Sequence, residues 1–169
     1  MRILGIDPGL ATVGYGVIDV HGPRDLECIS YGCIKTASSL SMGARLRIIY
    51  EDMQELIRRY EPDQASIEKL FFKQNVSTGI QVAQARGIIL LVVEQNEVPF
   101  EEYAPVQVKS RILGYGHAEK HQMQYMVTNT LGLDKRPRPD DAADGLALAI
   151  CHHYSAKNSK NLWLSGKVS

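Results

Sequence analysis

Three strand-like segments before the first predicted helix constrain the fold of this chain more than any other feature of its sequence. A short, largely apolar segment runs from Arg2 to Ile6, and two further strand-like segments run from Thr12 to Val20 and from Leu26 to Lys35. Turn-forming residues separate them at Asp7-Pro8-Gly9 and Gly22-Pro23. Strands joined by such short connections pair antiparallel. The sequence therefore predicts a three-stranded antiparallel meander at its start.

The rest of the chain alternates between helical and strand-like patterns. From Leu46 to Tyr60, apolar residues recur every three or four positions, which is typical of an amphipathic helix, and Pro62 ends the pattern. The segments that follow are predicted as strand, helix, strand and then three helices: Gln64 to Leu70, Asn75 to Gln95, Pro99 to Tyr103, Pro105 to Leu113, about Ala118 to Leu131, and Asp140 to Tyr154. This order predicts an α/β domain with a mixed five-stranded sheet flanked by helices.

Length and composition indicate one folded domain. The chain has 169 residues, of which 44% are hydrophobic and 22% charged, as in ordinary globular proteins. We expect the domain to span residues 1–155 and residues 156–169 to form a flexible tail. The first residues lack the pattern of a signal peptide, no stretch reaches the roughly 20 apolar residues of a membrane span, and the three cysteines are an odd number. These features predict a cytoplasmic protein without a membrane partner or a disulfide framework.

Charge is balanced overall but unevenly distributed along the chain. Nineteen lysine and arginine residues match nineteen acids, whereas proteins that bind nucleic acids usually carry a positive excess. Between Pro105 and Asp140, however, six basic residues accompany only three acidic ones. Cations bound by clustered acids would also neutralise or reverse the local negative charge. A net charge of zero is therefore compatible with DNA as a substrate.

Two acids lie three residues apart at the start of the last predicted helix. Asp141 and Asp144 share one face of that helix, with Cβ atoms roughly 5 to 6 Å apart, so that they could bind one cation together. The positive end of the helix dipole favours their charged form. Considered alone, however, acids at these positions are more often simple helix-capping residues. The pair gains meaning only together with other acids.

Two further acids come at the ends of predicted strands. Asp7 ends the first strand, and Glu68 lies near the end of a later strand, on the same face as Ser66. Separately, Asp7 could be a turn residue before Pro8-Gly9, and Glu68 could be a solvated strand end. Jointly, three acidic positions near one edge of a sheet predict a metal site, because hard divalent cations prefer carboxylate oxygens. Two Mg²⁺ ions roughly 3.5 to 4 Å apart can hydrolyse a phosphodiester, so the cluster predicts a metal-dependent nuclease.

Several sequence blocks resemble the RuvC family of Holliday-junction resolvases. They are Ile3-Leu4-Gly5-Ile6-Asp7-Pro8-Gly9, Gly14-Tyr15-Gly16-Val17-Ile18, Ser66-Ile67-Glu68-Lys69-Leu70-Phe71, Gln84-Ala85-Arg86-Gly87 and Asp141-Ala142-Ala143-Asp144. The similarity runs from Arg2 to about His153. It implies an RNase H-like fold, a homodimer, and paired symmetric nicks in four-way junction DNA during recombination and repair. It also implies about two Mg²⁺ ions per subunit, replaceable by Mn²⁺, and coupling to the branch-migration proteins RuvA and RuvB.

The resemblance assigns the catalytic and metal-binding roles to particular residues. The family's four acids fall on Asp7, Glu68, Asp141 and Asp144. Asp140 is an alternative to Asp141, because Asp140 and Asp144 at positions i and i+4 would also share a helix face. The Asp-Ala-Ala-Asp block favours Asp141, which leaves Asp140 as a capping residue or an outer acid.

The resemblance also implies DNA contacts. Two basic contacts of the family fall on Lys109 and Lys120, although a lone surface lysine is usually just solvated. An aromatic residue that stacks on a base near the crossover falls on Phe71, and such stacking is worth roughly 1 to 3 kcal/mol per base. The alternative for Phe71 and its neighbour Phe72 is a place in the core.

The predicted helix from Asn75 to Gln95 is the expected dimer contact. Its second half is apolar all round and contains the small residues Ala83, Ala85 and Gly87, so one face could cover the sheet and another a partner helix. A helix that is simply buried within one chain is the alternative. A two-fold dimer would bring one active site to each of two like strands of a symmetric junction.

Other classes of protein share parts of the pattern. The segment from Gly5 to Gly9 also resembles a phosphate loop of actin-like ATPases and sugar kinases, which need two such domains around a nucleotide. A ribonuclease H or a transposase would use a similar cluster of acids. A further alternative is a module that binds junctions without cutting them, although all four acids of the site are present. A zinc site of Cys28, Cys33, Cys151 and His152 is disfavoured, because an odd separation along a strand points the first two thiols to opposite faces.

Overall fold

A mixed sheet of five strands forms the centre of the fold, as the sequence predicts. The computed structural model describes residues 1–70 and 76–164, and the side chains of residues 1–70 and 77–155. The strands are β1 Arg2–Asp7, β2 Thr12–Val20, β3 Leu26–Lys35, β4 Gln64–Glu68 and β5 Phe100–Tyr103. Their order across the sheet is β3-β2-β1-β4-β5. This is the RNase H-like arrangement that the resemblance to the RuvC family implies.

The register of the sheet brings two strand ends together. β1, β2 and β3 pair antiparallel, which confirms the predicted meander, whereas β1 pairs parallel with β4 and β4 parallel with β5. Ile6 of β1 is the partner of Ile67 of β4. The next residue on each strand is therefore an acid, Asp7 on one and Glu68 on the other, and both lie at the same edge of the sheet.

The described residues form five helices, most of them close to their predicted positions. They are α1 Met42–Tyr60, α2 Val76–Gln95, α3 Pro105–Leu113, α4 Lys120–Thr130 and α5 Asp140–Leu164. The prediction that the last helix ends at Tyr154 is wrong, because α5 continues to Leu164. The sequence from Ser155 to Leu164 contains neither proline nor glycine to end it. The flexibility of residues 156–169 stays a prediction.

Each face of the sheet is covered by its own helices. Strand residues alternate between the faces, so that Leu4 and Ile6 join one core with residues of α1 and α2, while Ile3 joins a second core with residues of α3, α4 and α5. The middle of α5, from Leu146 to Cys151, is buried throughout. Among the described residues, we find no helix with the length and apolar character needed to cross a membrane.

Glycines let α5 lie directly on the sheet near the acidic edge. A Cβ atom added to Gly14 of β2 would overlap the backbone carbonyl of Asp141, and one added to Gly5 of β1 would overlap the backbone of Gly145. A side chain at either strand position would therefore push the helix away. This close contact places the first turn of α5 above the end of β1.

Side-chain hydrogen bonds fix the other half of α5 to the far strands. The Tyr103 hydroxyl lies 2.9 Å from His152 Nδ1, and His152 Nε2 lies 2.8 Å from Gln64 Oε1. Burial lowers the pKa of His152, so the neutral ring accepts from Tyr103 and donates to Gln64. The buried histidine therefore connects α5 to β4 and β5 without a buried charge.

Candidate active site

The first two acids of the site lie side by side at the ends of β1 and β4. The carboxyl groups of Asp7 and Glu68 are hydrogen-bonded to each other, which requires that one of them carries a proton. Parallel pairing of the two strands makes this contact, because Ile6 and Ile67 are in register immediately before them. The sequence predicts both acids near strand ends, but the predicted end of the later strand at Leu70 is wrong, because β4 ends at Glu68. Only the sheet order makes these two acids neighbours.

The first turn of α5 supplies the other two acids. Carboxylate oxygens of Asp7, Asp141 and Asp144 all lie within 4.8 Å of one another, which is close enough for a shared cation. Glu68 completes the group through its hydrogen bond to Asp7. The structure thus brings together the four acids that the sequence analysis selects, from three separate elements.

The raised pKa values of three of the acids indicate that the site favours bound positive charge. Burial raises the pKa of Asp7 to about 9, with further contributions from Glu68, Asp144 and Asp141. Burial also raises the pKa of Glu68 and of Asp144, the latter against the opposing charge of Lys120. The raised pKa values show that the charged forms of Asp7, Glu68 and Asp144 are disfavoured, and bound cations would offset this effect. The donor set, which is purely oxygen, fits hard divalent cations such as Mg²⁺.

A cleft of about 220 Å³ opens onto these acids and contains both predicted lysines. Its walls include Asp7, Glu68 and Asp144 together with Lys109 from α3 and Lys120 from α4. Apolar side chains of α3, α4 and α5, among them Val108, Met123 and Leu148, form the rest of the cleft wall. The two lysines therefore line the same cleft as three of the four acids.

Asp140 and Asp141 occupy different environments. Asp140 Oδ2 lies 3.4 Å from Lys120 Nζ, and its Oδ1 lies 3.2 Å from Arg138 Nη1. Asp141 belongs to the group with Asp7 and Asp144. Asp140 thus contacts basic side chains, whereas Asp141 lies with the other acids of the group.

Sequence analysis misses the role of Asp140 in holding a lysine. Lys120 Nζ lies 3.4 Å from Asp140 and 3.8 Å from Asp144. Burial alone would lower the pKa of Lys120, but the charges of Asp144 and Asp140 outweigh it and raise the pKa. Lys120 therefore stays protonated at the rim of the cleft. The sequence does carry a signal for this role, because Asp140 and Asp144 at positions i and i+4 share one face of the helix.

The argument from strand periodicity against a cysteine site is wrong in one respect. A β-bulge between the pairs at Val17 and Ile18 shifts the register, so Cys28 pairs with Ile18 and Cys33 with Gly14, on the same face of the sheet. Cys33 lies beside the acidic group, and burial raises the pKa of its thiol, with a further contribution from the charge of Asp141. Even so, no potential metal-binding group among the described residues contains a cysteine.

The predicted DNA contact Phe71 lies outside the residues that the structure describes.

Comparison with protein families gives one match over almost the whole chain. Residues 3–152 match the family of crossover junction endodeoxyribonuclease RuvC. The crossover junction endodeoxyribonuclease RuvC of Syntrophomonas wolfei is 49% identical over 162 residues, covering 96% of this chain and 94% of the relative. That of Thermosipho melanesiensis is 51% identical over 151 residues, covering 89% and 96%.

Solved structures agree with these relatives. Thermus thermophilus RuvC in complex with a Holliday junction substrate has a TM-score of 0.90 and 33% identity, and the alignment covers 94% of this chain and 96% of that one. The yeast mitochondrial Holliday junction resolvase Ydc2 has a TM-score of 0.67 over 95% of this chain and 82% of its own. At 12% identity, the yeast protein supports the fold alone.

Proposed function

The chain belongs to the RuvC family of crossover junction endodeoxyribonucleases, and we propose that its four clustered acids, Asp7, Glu68, Asp141 and Asp144, are the catalytic residues. The protein is an endonuclease that resolves four-way junctions by paired symmetric nicks in DNA recombination and repair. The observation that carries the assignment of the site is the convergence of carboxylate oxygens from β1 and α5 within 4.8 Å.

The same four acids are proposed to hold two Mg²⁺ ions per protomer, for which Mn²⁺ can substitute. When bound, such ions activate the attacking water and stabilise the leaving oxygen of the scissile phosphodiester. Asp7 must first lose the proton that its raised pKa retains, and Glu68 then loses a hydrogen-bond donor. Cation binding should therefore release protons at neutral pH.

The two lysines of the cleft are proposed to position the DNA backbone. Lys120 is held at the rim by Asp140 and Asp144, with its side chain 57% exposed, so its ammonium group can reach a phosphate oxygen. Lys109 approaches the same acids from α3 and lowers the pKa of Asp144 slightly against the effect of burial. Phe71, three residues beyond Glu68 in the sequence, is proposed to stack on a base near the crossover.

A homodimer is proposed to form through α2. Ile80, Gln84, Gly87 and Leu91 follow one another at helical spacing and are all exposed, and Ile80 and Leu91 are 52% and 47% exposed. On the inner side, Arg86 pairs with Glu102 of β5, so α2 is fixed to the sheet while this stripe faces outwards. An exposed stripe with large apolar residues at both ends is suited to a second copy of the same helix.

Three further assignments rest on family membership and on the sequence. We propose that residues 1–155 form the RNase H-like resolvase domain, that the enzyme acts in the cytoplasm, and that it works with RuvA and RuvB. Pull-down of the purified chain with RuvA and RuvB on junction DNA would test the last of these. If the chain is not retained with RuvA and RuvB on the junction DNA, that result would contradict the proposal.

Substrate choice provides the test of the function. The purified chain should nick a synthetic four-way junction in Mg²⁺ or Mn²⁺, and it should leave a linear duplex of the same sequence and an RNA–DNA hybrid uncut. Calorimetric titration of the metal-free protein with Mn²⁺ should give two sites per protomer with proton release. Cleavage of the hybrid in preference to the junction would instead indicate a ribonuclease H.

A further inference from the structure

A second groove lies on the other side of α4 from the acidic cleft. It has a volume of about 300 Å³ and is lined, among others, by Tyr115, His121, Gln122, Tyr125 and Arg136. We call it the α3–α4 groove, because Tyr115 follows α3, and three of these residues belong to α4. None of them takes part in the catalytic site described above.

The aromatic side chains of this groove are unusually exposed. Tyr125 is 56% exposed and Tyr115 is 48% exposed. Both present a hydroxyl donor as well as an apolar ring, which is the combination found where proteins contact the sugar and phosphate of DNA. His121 Nδ1 lies 3.2 Å from Glu119 Oε2, and Gln122 Oε1 accepts a hydrogen bond from the backbone N–H of Glu119, so the second ring nitrogen of His121 and the amide nitrogen of Gln122 are the groups that could contact a ligand.

Basic residues outnumber acidic ones in the sequence around the groove. From Arg111 to Asp140 the sequence has five lysine and arginine residues and three acids, and Lys120 and Arg138 both pair with Asp140. Arg136 is exposed and makes no ion pair or hydrogen bond with any residue of the described ranges, 1–70 and 76–164, whereas Arg138 pairs with Asp140. An unpaired guanidinium group beside two tyrosine side chains favours a phosphate ligand over an apolar partner that has no anionic group.

The groove and the acidic cleft are separated only by the first turns of α4. Lys120 and Met123 face the cleft, whereas the alternating neighbours His121 and Gln122 face the groove. An α-helix is only about 10 to 12 Å across, so a duplex arm that contacts Lys120 is broad enough to reach the groove as well. A DNA arm is a substrate that can span both sides of the helix.

We propose that the α3–α4 groove binds the sugar–phosphate backbone of one junction arm beyond the point of cleavage. Arg136 pairs with a phosphate, while the hydroxyl groups of Tyr115 and Tyr125 donate to neighbouring phosphate oxygens and their rings pack on the sugars. The proposal rests on the junction-cleaving function above and extends its footprint. It explains why exposed aromatic residues and an unpaired arginine lie next to the catalytic cleft.

The test measures affinity of the intact protein for a fluorescent four-way junction without metal, so that the DNA stays uncut. Arg136→Ala should raise Kd about tenfold and lower the slope of log K against log salt by about 0.9. Arg136→Lys should keep most of that slope, because the charge remains. Tyr125→Ala should raise Kd several-fold, and truncating the junction arms should abolish the difference from the parent.

Matched controls are available elsewhere on the surface. Arg58 on α1 and Tyr31 on the opposite edge strand, β3, are exposed residues of the same types, and their alanine variants should bind like the parent. Parental affinity and salt slope in Arg136→Ala would overturn the proposal. Equal losses in the control variants would overturn it as well. Failure of the parent itself to cut the junction would instead refute the proposed function.

Discussion

Asp7 is the residue at which the electrostatics of the site concentrate. It lies at the end of the central strand, contacts Glu68 along the sheet edge, and faces two acids of α5. Each of these neighbours disfavours its charge, and burial disfavours it further, so that its pKa rises to about 9. In the absence of cations, the proton on Asp7 reduces the repulsion among these acids, and bound cations would replace it.

This shifted pKa makes the stability of the metal-free protein depend on pH. Between pH 3.8, the ordinary value of the carboxyl, and about pH 9, the folded protein retains a proton that the unfolded chain has lost. Asp7 therefore lowers stability progressively as pH rises through this window. Asp7→Asn should remove the effect and be more stable than the parent by about 1 to 3 kcal/mol at pH 8, with little difference near pH 4.

Urea unfolding in EDTA at several pH values would measure this difference. Mg²⁺ should then stabilise the parent and have a much smaller effect on the variant. A stability difference that stays constant between pH 4 and pH 8 would show that the proton on Asp7 does not control the site.

Asp140 and Asp141 should differ sharply in their importance for cleavage. Asp141→Asn should reduce kcat by about 100-fold or more, because it removes charge from the group with Asp7 and Asp144. Asp140→Asn should reduce it only several-fold, through looser positioning of Lys120. Single-turnover cleavage of a four-way junction measures both, and the reverse order would assign the ligand role to Asp140.

At the scale of elements, the site depends on how closely α5 approaches the sheet. Gly14 allows the contact, because any Cβ there would overlap the backbone of Asp141. Gly14→Ala should therefore destabilise the fold by about 1 to 3 kcal/mol and reduce cleavage, since the acid pair moves away from Asp7. Gly43→Ala in α1 is the matched control, because its Cβ would meet no atom within 4 Å.

Thermal unfolding and cleavage assays on the two glycine variants would test this prediction. The control should be as stable as the parent or more stable, since alanine favours a helix. A Gly14→Ala variant with parental stability and activity would mean that α5 does not need this contact.

The local patterns of the sequence predict the elements well but not their closest contacts. Apolar periodicity predicts the meander, α1 and α3, since each has a clear repeat or a proline at its start. The end of α5 and the β-bulge in β3 are missed, because neither leaves a turn-forming residue in the sequence. The four acids are predictable one by one, whereas their meeting depends on sheet order and on glycine contacts that no local pattern reveals.

At the scale of the whole molecule, a single chain presents one cluster of the four acids, whereas a junction is cut at two sites. Pairing through α2 would supply the second cluster. Leu91→Glu should prevent pairing, because it places a charge in the exposed stripe of that helix. Leu40→Glu is the matched control, since Leu40 is 41% exposed before α1.

Sedimentation velocity at micromolar concentration distinguishes these variants. We expect a dimer for the parent and for Leu40→Glu, and a monomer for Leu91→Glu, which should also cut the two strands independently. A parent that remains monomeric on junction DNA, or a Leu91→Glu variant that remains dimeric, would exclude α2 as the interface.

The central claim is that the four acids bind the cations that cleave a junction held by the rest of the surface. Its most direct test is Asp7→Asn, assayed in parallel for junction affinity and for nicking in Mg²⁺. We predict parental affinity together with a loss of nicking of about 1000-fold or more, because the substitution removes a ligand charge without changing shape. A variant that nicks the four-way junction at the parental rate would contradict the account.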